Sequence, residues 1–146
     1  MSFSQNVRFS GVAPADTSDP HPPGRGLARS LEAVVRAAGW EVLNVDDWRD
    51  CGWSILCDRG RSALEIALAE IQPSEWMLQI GPTSMPRLVS KLRGWEPSAE
   101  RSDVYDLATH IHAFLGTEFR GQRWCWDGFP DDSASTPEPT GWQGAV

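Results

Sequence analysis

The sequence predicts an α+β fold, in which an antiparallel sheet of about four to six strands is covered by helices on one face. Two hydrophobic periods lead to this prediction. Apolar residues recur every three or four positions in three segments, and every second position in several others. Along the chain these segments follow the order strand, helix, four strands, two helices, strand, with short turns between the central strands.

The N-terminal elements are a short strand and an amphipathic helix. In the stretch VRFSGV, Val7 and Phe9 fall on one face of a strand, and the proline-rich loop 13–26 follows. From Leu27 onward apolar residues recur at helical spacing, and Gly39 stands where a left-handed C-cap is needed. The apolar face of this helix comprises Leu31, Val34, Val35 and Ala38.

The central part of the chain changes to a period of two residues. An extended run begins at 40–42, apolar and polar residues alternate over 53–58, and Asp-Arg-Gly-Arg at 58–61 is typical of a hairpin. Segment 63–71 fits both a strand and a helix, and its Ala and Glu content favours a helix. We assign it to a strand because tight turns flank it and another alternating run follows at 76–80.

Two helices come next. Ser84-Met-Pro86 opens a short helix that Gly94 ends. Ser98 or Ser102 is expected to cap the third helix, and Gly116 to end it. Its apolar stripe is Val104, Leu107, Ala108, Ile111, Phe114 and Leu115.

A last strand over 119–126 places Trp124 and Trp126 on one face. Residues 1–130 are therefore predicted to form a single domain, which contains the proline-rich loop. Residues 131–146 are acidic and of low complexity, and they are predicted to form a disordered tail.

Bulk composition bounds the class of protein. The 146 residues include no apolar run long enough to span a membrane, and the N-terminal stretch lacks the pattern of a secretory signal. Three cysteines are too few and too scattered for a disulfide framework, which favours the reducing cytoplasm. The basic residues are twelve Arg and one Lys, a bias typical of GC-rich coding and so of a bacterial source.

The net charge of −7 is concentrated in two stretches, 41–58 and 127–146, each of which contributes −4. Such a surface repels phosphate backbones, so no nucleic-acid partner is expected. An acidic surface instead favours a basic protein partner, and it accelerates association more than it adds affinity.

Metal and cofactor sites are not expected. Cys51 and Cys57 are too far apart in sequence for a zinc knuckle, which needs two to four intervening residues. His110 and His112 are two positions apart on a predicted helix, so their side chains point in different directions.

Enzymatic chemistry has two candidate locations. Cys57 shares a strand face with Trp53 and Ile55, where cysteine behaves as a small apolar residue, whereas Cys125 lies opposite the flanking tryptophans and is the better candidate for an exposed thiol. The carboxylates of 46–50 are the second candidate, although such clusters in loops are usually solvated turn formers.

We interpret the charged stretch as a recognition loop. Tryptophan flanked by charge is typical of protein-binding hot spots. The expected partner-binding residues are Asp46, Asp47, Trp48, Arg49, Asp50 and Trp95. The sequence thus favours a non-enzymatic, cytoplasmic inhibitor or immunity-type protein that neutralises a basic toxin or enzyme. A secretion-chaperone-like adaptor and a small enzyme that uses Cys125 or the 46–50 loop are the alternatives.

Overall fold

A computed structural model of the protein describes residues 3–13, 23–48, 51–94 and 97–142. The elements are β1 Gln5–Ser10, α1 Arg25–Ala37, β2 Glu41–Trp48, β3 Gly52–Asp58, β4 Ala63–Gln72, β5 Glu75–Pro82, α2 Pro86–Arg93, α3 Arg101–Glu118 and β6 Arg120–Trp126. The six strands form one antiparallel sheet in the order β2-β3-β4-β5-β1-β6. This confirms the α+β class. The proline-rich stretch 14–22 lies outside the described residues.

The main core lies between the sheet and the helices α1 and α3. Alternate residues of the central strands point to this face, and Ile55, Ile66 and Leu78 are buried there with Leu31 of α1 and Leu107 of α3. The two helices each bury one apolar stripe against the same sheet face, and this cluster contains most of the buried apolar residues of the described chain.

The short helix α2 lies on the opposite face of the sheet, which corrects the expectation that all helices share one face. Its Val89 is buried in a second, smaller apolar cluster with Leu56 of β3 and Ala63 of β4. Every residue of β3 is buried, because this strand is covered on both faces. Ile55 and Cys57 of β3 belong to the main core, whereas Leu56 between them points to the other face and belongs to the second cluster.

Segment 63–71 is a strand, as predicted against its helix propensity. It lies within β4, which pairs with β3 on one side and with β5 on the other. The turn before it contains Gly60 at a φ of +98°, a backbone conformation that suits glycine. Pairing on both sides of a central strand outweighs the small per-residue preference of Ala and Glu for helix.

Both predicted ends of α3 are wrong. The N-cap is Glu100, with no side-chain cap, because Ser98 Oγ instead donates to the Arg61 carbonyl at 2.6 Å. Gly116 lies inside the helix, which continues until Phe119 N donates to the Leu115 carbonyl at 2.7 Å. The ends of α1 and α2 match the sequence more closely, with Gly39 and Gly94 both in the left-handed region.

Residues 131–142, the described part of the acidic tail, lie against β6 and β1. Trp124 and Thr136 exchange two backbone hydrogen bonds of 2.7 and 2.9 Å. The Thr140 carbonyl accepts hydrogen bonds from Trp126 Nε1 at 2.9 Å and from Gln5 Nε2 at 3.1 Å. Disorder of this tail stays a prediction from composition. An experiment must distinguish a disordered tail from one held by these contacts. None of the helices in the described ranges is long and apolar enough to cross a membrane.

Candidate functional site

The first three residues of the charged stretch DDWRDC, Asp46 to Trp48, lie in β2 and not in a loop, which corrects the sequence prediction for them. Asp46 pairs with Ser54, Asp47 with Trp53, and the backbone of Trp48 with that of Gly52. The β2–β3 pairing therefore continues almost to the turn. Arg49 and Asp50 lie outside the described residues, as does Trp95.

Asp46 and Asp47 point to opposite faces of the sheet because they are neighbours on a strand. Asp47 lies on the α1 side, in register with Trp53, and Asp46 lies on the side of Ser54. The Asp46 Oδ1 atom accepts a hydrogen bond of 2.7 Å from the Asp47 backbone N–H. The two carboxylates are thus poorly placed to act as a side-by-side acid/base pair.

A groove of about 430 Å³ runs between α1 and β2. Its apolar lining comes from Ala28, Val42, Val45 and Trp53, and its charged lining from Arg25, Arg29, Glu32, Arg36, Asp46 and Asp47. The α1 side carries an excess of positive charge and the β2 side carries the two carboxylates. We call this feature the α1–β2 groove.

Ion pairs divide the acidic stretch 41–58, so it does not form one acidic surface. Arg93 of α2 bonds Glu41, and its Nη2 lies 2.7 Å from an oxygen of the buried Asp58. These two carboxylates serve to hold α2 against β2 and β3. The acidic side chains that line the groove are Asp46, Asp47 and Glu32, and Glu32 pairs with Arg36 at 2.9 Å.

The outer edge of β2 carries features that discourage the addition of another strand. The β2–β3 register shifts between Val42 and Asn44, where β2 bulges. The Asp46 carboxylate occupies the Asp47 N–H, and charged side chains flank the edge. Pairing of an additional strand with β2 is therefore disfavoured.

The pKa values of both cysteine thiols that the sequence singled out are raised. Burial raises the pKa of the Cys57 thiol well above its usual range. Burial, followed by the charges of Asp131 and Asp127, also raises the pKa of Cys125, whose Sγ donates to the Gly128 carbonyl at 3.2 Å. Because the thiolate is the nucleophile, neither environment activates a cysteine for covalent catalysis.

The two helix histidines have separate hydrogen-bond partners. His110 Nδ1 lies 2.9 Å from the Asp106 carbonyl, and His112 Nδ1 lies 2.8 Å from Gln122 Oε1. Within the described ranges, no three His, Cys, Asp or Glu residues converge in a way that could hold a metal ion.

The arginines of the groove are the residues that sequence reasoning missed. Arg25, Arg29 and Arg36 recur at helical spacing on the side of α1 away from its apolar stripe. That pattern is also typical of an ordinary solvated helix face. Only the position of β2 beside α1 shows that these arginines line a groove.

Comparison of the chain with protein-family models, with curated proteins and with solved structures finds no match.

Proposed function

We propose that this protein is a non-enzymatic protein-binding domain that holds its partner in the α1–β2 groove, as an inhibitor or immunity-type protein does when it neutralises a toxin or an enzyme. The observation that carries this proposal is that Asp46 and Asp47 of β2, a terminal strand of the sheet, both line an open groove. A terminal strand has no neighbour beyond it in the described chain, so the groove is accessible to a large partner.

The charges of the groove indicate which side chains of a partner would fit it. Basic side chains of the partner would face Asp46 and Asp47, and acidic ones would face Arg29, which is exposed on α1. An apolar side chain would contact Trp53 and Val45 between them. Charges of complementary sign increase the association rate and fix the orientation of the two proteins. Trp48, Arg49, Asp50 and Trp95 belong to the proposed surface on sequence grounds.

The cytoplasm is the compartment that the proposal assumes, since Cys57 and Cys125 form no disulfide bond in the described chain. An enzyme that uses Cys125 is the weaker alternative, because the raised pKa of that thiol works against a nucleophilic role.

The experiment compares the immobilised wild-type chain with the double variant Asp46→Asn/Asp47→Asn as bait at low salt, in lysate of the source organism. We expect a basic protein to be retained by the wild type and lost from the variant. With that protein purified, the association rate should fall about tenfold in the variant and should also fall as salt is raised.

The matched control is Glu70→Gln/Glu75→Gln, which removes two carboxylates from the β4–β5 hairpin, distant in the strand order from β2. This control should bind the partner at the wild-type rate. Equal loss of binding in both double variants would show that net charge alone attracts the partner. Retention of the same partner by the groove variant would refute the proposed surface.

A further inference from the structure

A second cavity, of about 420 Å³, opens on the sheet face away from α1 and α3. Its floor comes from β1 and β5, where Asn6 and Gln79 are register partners, and its wall is the turn that follows β6. We call it the β1–β5 cavity. It lies near the β6 end of the sheet, whereas the α1–β2 groove lies at the β2 end, so it is independent of the proposed function.

Hydrogen-bond acceptors predominate in this cavity. Asp127 accepts the Ser4 N–H at 2.8 Å through Oδ1, and the Gly128 carbonyl accepts Asn6 Nδ2 at 2.6 Å. Asn6 is only 3 % exposed, and its Oδ1 atom has no hydrogen-bond partner within the described chain. A buried acceptor without a partner is costly, and it marks a position where a donor from outside would be favourable.

The carboxylate in the cavity lining is that of Asp127, and Asp131 lies near it. After burial, the charges of Asp131 and Asp127 are what raise the pKa of Cys125, whose thiol reaches the same Gly128 carbonyl. The nearest arginine of the floor strand, Arg8, is already engaged by Asp132 at 3.2 Å and by the Phe129 ring at 5.8 Å.

Arg123 is the register partner of Arg8 on β6, and it is engaged in the same way. Its guanidinium group donates to Ser135 Oγ at 2.9 Å and to the Ser135 carbonyl at 2.7 Å. Arg8 and Arg123 are therefore both held by the segment after the turn, and neither donates to Asp127 or to Asn6 Oδ1.

We propose that the β1–β5 cavity is a binding site for an alkylammonium group, that is, a protonated primary amine on a short aliphatic stem. The ammonium donates to the Asp127 carboxylate and to Asn6 Oδ1, and the stem contacts Met77 and Phe129 in the cavity wall. An ammonium group has three donors and no acceptor, which matches a cavity that offers carboxylate, amide and carbonyl oxygens. Binding requires a small outward shift of the turn, because Asn6 Oδ1 is itself buried.

The test is a titration of the isotope-labelled full chain with n-butylammonium chloride, followed by amide NMR shifts at constant ionic strength. We expect saturable shifts at Ser4, Asn6, Asp127 and Gly128, with a dissociation constant in the millimolar range. The neutral analogue n-butanol should bind at least about tenfold more weakly, because it lacks the charge. Equal binding of the two probes, or no saturable shift with either, would overturn the proposal.

Two variants and one control locate the site. Asp127→Asn should weaken binding about tenfold, and asparagine tolerates the φ of +54° found at this position. Gln79→Glu adds a carboxylate at an exposed position of the cavity floor, and it should tighten binding several-fold. Glu118→Gln, an exposed position at the end of α3 with the same change of net charge as Asp127→Asn, should bind as the wild type does.

If Asp127→Asn proves unfolded, Gln79→Glu alone decides the question, because unchanged affinity in that variant would contradict the site. Unchanged affinity in a folded Asp127→Asn variant would contradict it equally. Since neither variant touches the α1–β2 groove, failure here leaves partner binding unaffected.

Discussion

Asp103 lies in the first turn of α3 and is only 1 % exposed. Its two carboxylate oxygens accept hydrogen bonds from Arg61 Nε at 3.1 Å and Nη2 at 2.9 Å, and Ser62 Oγ donates at 2.5 Å. Burial alone would raise the pKa of Asp103. The hydrogen bonds from Arg61 and Ser62 and the positive charges of Arg61 and Arg59 outweigh it, so that its pKa lies below the ordinary value.

Replacement of this carboxylate should be costly. Asp103→Asn removes the buried charge that Arg61, Arg59 and Ser62 contact, and we expect the free energy of unfolding to fall by about 2–4 kcal/mol. Urea unfolding at neutral pH measures the loss. Asp106→Asn is the control, because Asp106 is 43 % exposed and its ion pair with Arg59 should contribute less than about 1 kcal/mol.

The same carboxylate gives a pH dependence of defined sign. Because the pKa of Asp103 is lower in the folded state, its contribution is complete above the unfolded value of about 3.9 and is lost as the pH falls through the folded value. The difference in the free energy of unfolding between the wild type and Asp103→Asn should therefore disappear below about pH 4. A stability difference that stays constant into the acid range would contradict this assignment.

At the scale of elements, the start of β3 depends on the absence of a side chain at Gly52. A Cβ atom there would lie 1.9 Å from the Leu68 carbonyl oxygen, because β4 approaches closely at the Gly52–Ala69 pair. Gly52 also pairs with Trp48 of β2, so it joins three strands at the end of the candidate groove.

Gly52→Ala should therefore force β3 and β4 apart. We expect a loss of about 3 kcal/mol or more in the free energy of unfolding, and faster amide exchange in the Leu68–Ala69 part of β4. Gly141→Ala is the matched control, since a Cβ at that position meets nothing within 4 Å, and its stability should stay within about 0.5 kcal/mol. Equal stability of the two variants would mean that the close approach at Gly52 is relieved without cost.

At the scale of the whole molecule, the C-terminal segment covers an edge of the sheet that would otherwise be open. Beyond the Trp124–Thr136 bridge, the rings of Trp126 and Trp142 pack edge to face at 5.3 Å, and Arg101 of α3 stacks on Trp142 at 4.2 Å. These contacts connect the segment to β6 and to α3.

Removal of residues 131–146 should accordingly destabilise the domain. We expect the free energy of unfolding to fall by about 2–4 kcal/mol from the lost hydrogen bonds, together with a red shift of tryptophan emission as Trp126 becomes exposed. Ser133→Ala is the control, because Ser133 bonds Asp131 within the segment. An unchanged stability and spectrum would instead support the disordered tail that the composition predicts.

The positions of the elements follow from local sequence patterns. The alternation over 53–58, the helical stripe of α3 and the glycines at 39, 60 and 94 all predict the observed elements, because period and backbone freedom are local properties. The ends of α3 were not predictable in this way. Ser98 bonds the Arg61 carbonyl, and Phe119 packs on Phe9 at 5.0 Å, both across long sequence separations.

The candidate site likewise has features that local sequence determines and features that depend on long-range contacts. The sequence by itself determined that Asp46 and Asp47 are charged neighbours beside a buried strand. Only the tertiary structure decided that they lie on a paired strand, that Arg93 neutralises Glu41 and Asp58, and that the arginines of α1 form the opposite side of a groove. The physical reason is range, because hydrophobic period acts within a turn or a strand, whereas the pairing of charges depends on which distant elements the sheet and its core bring together.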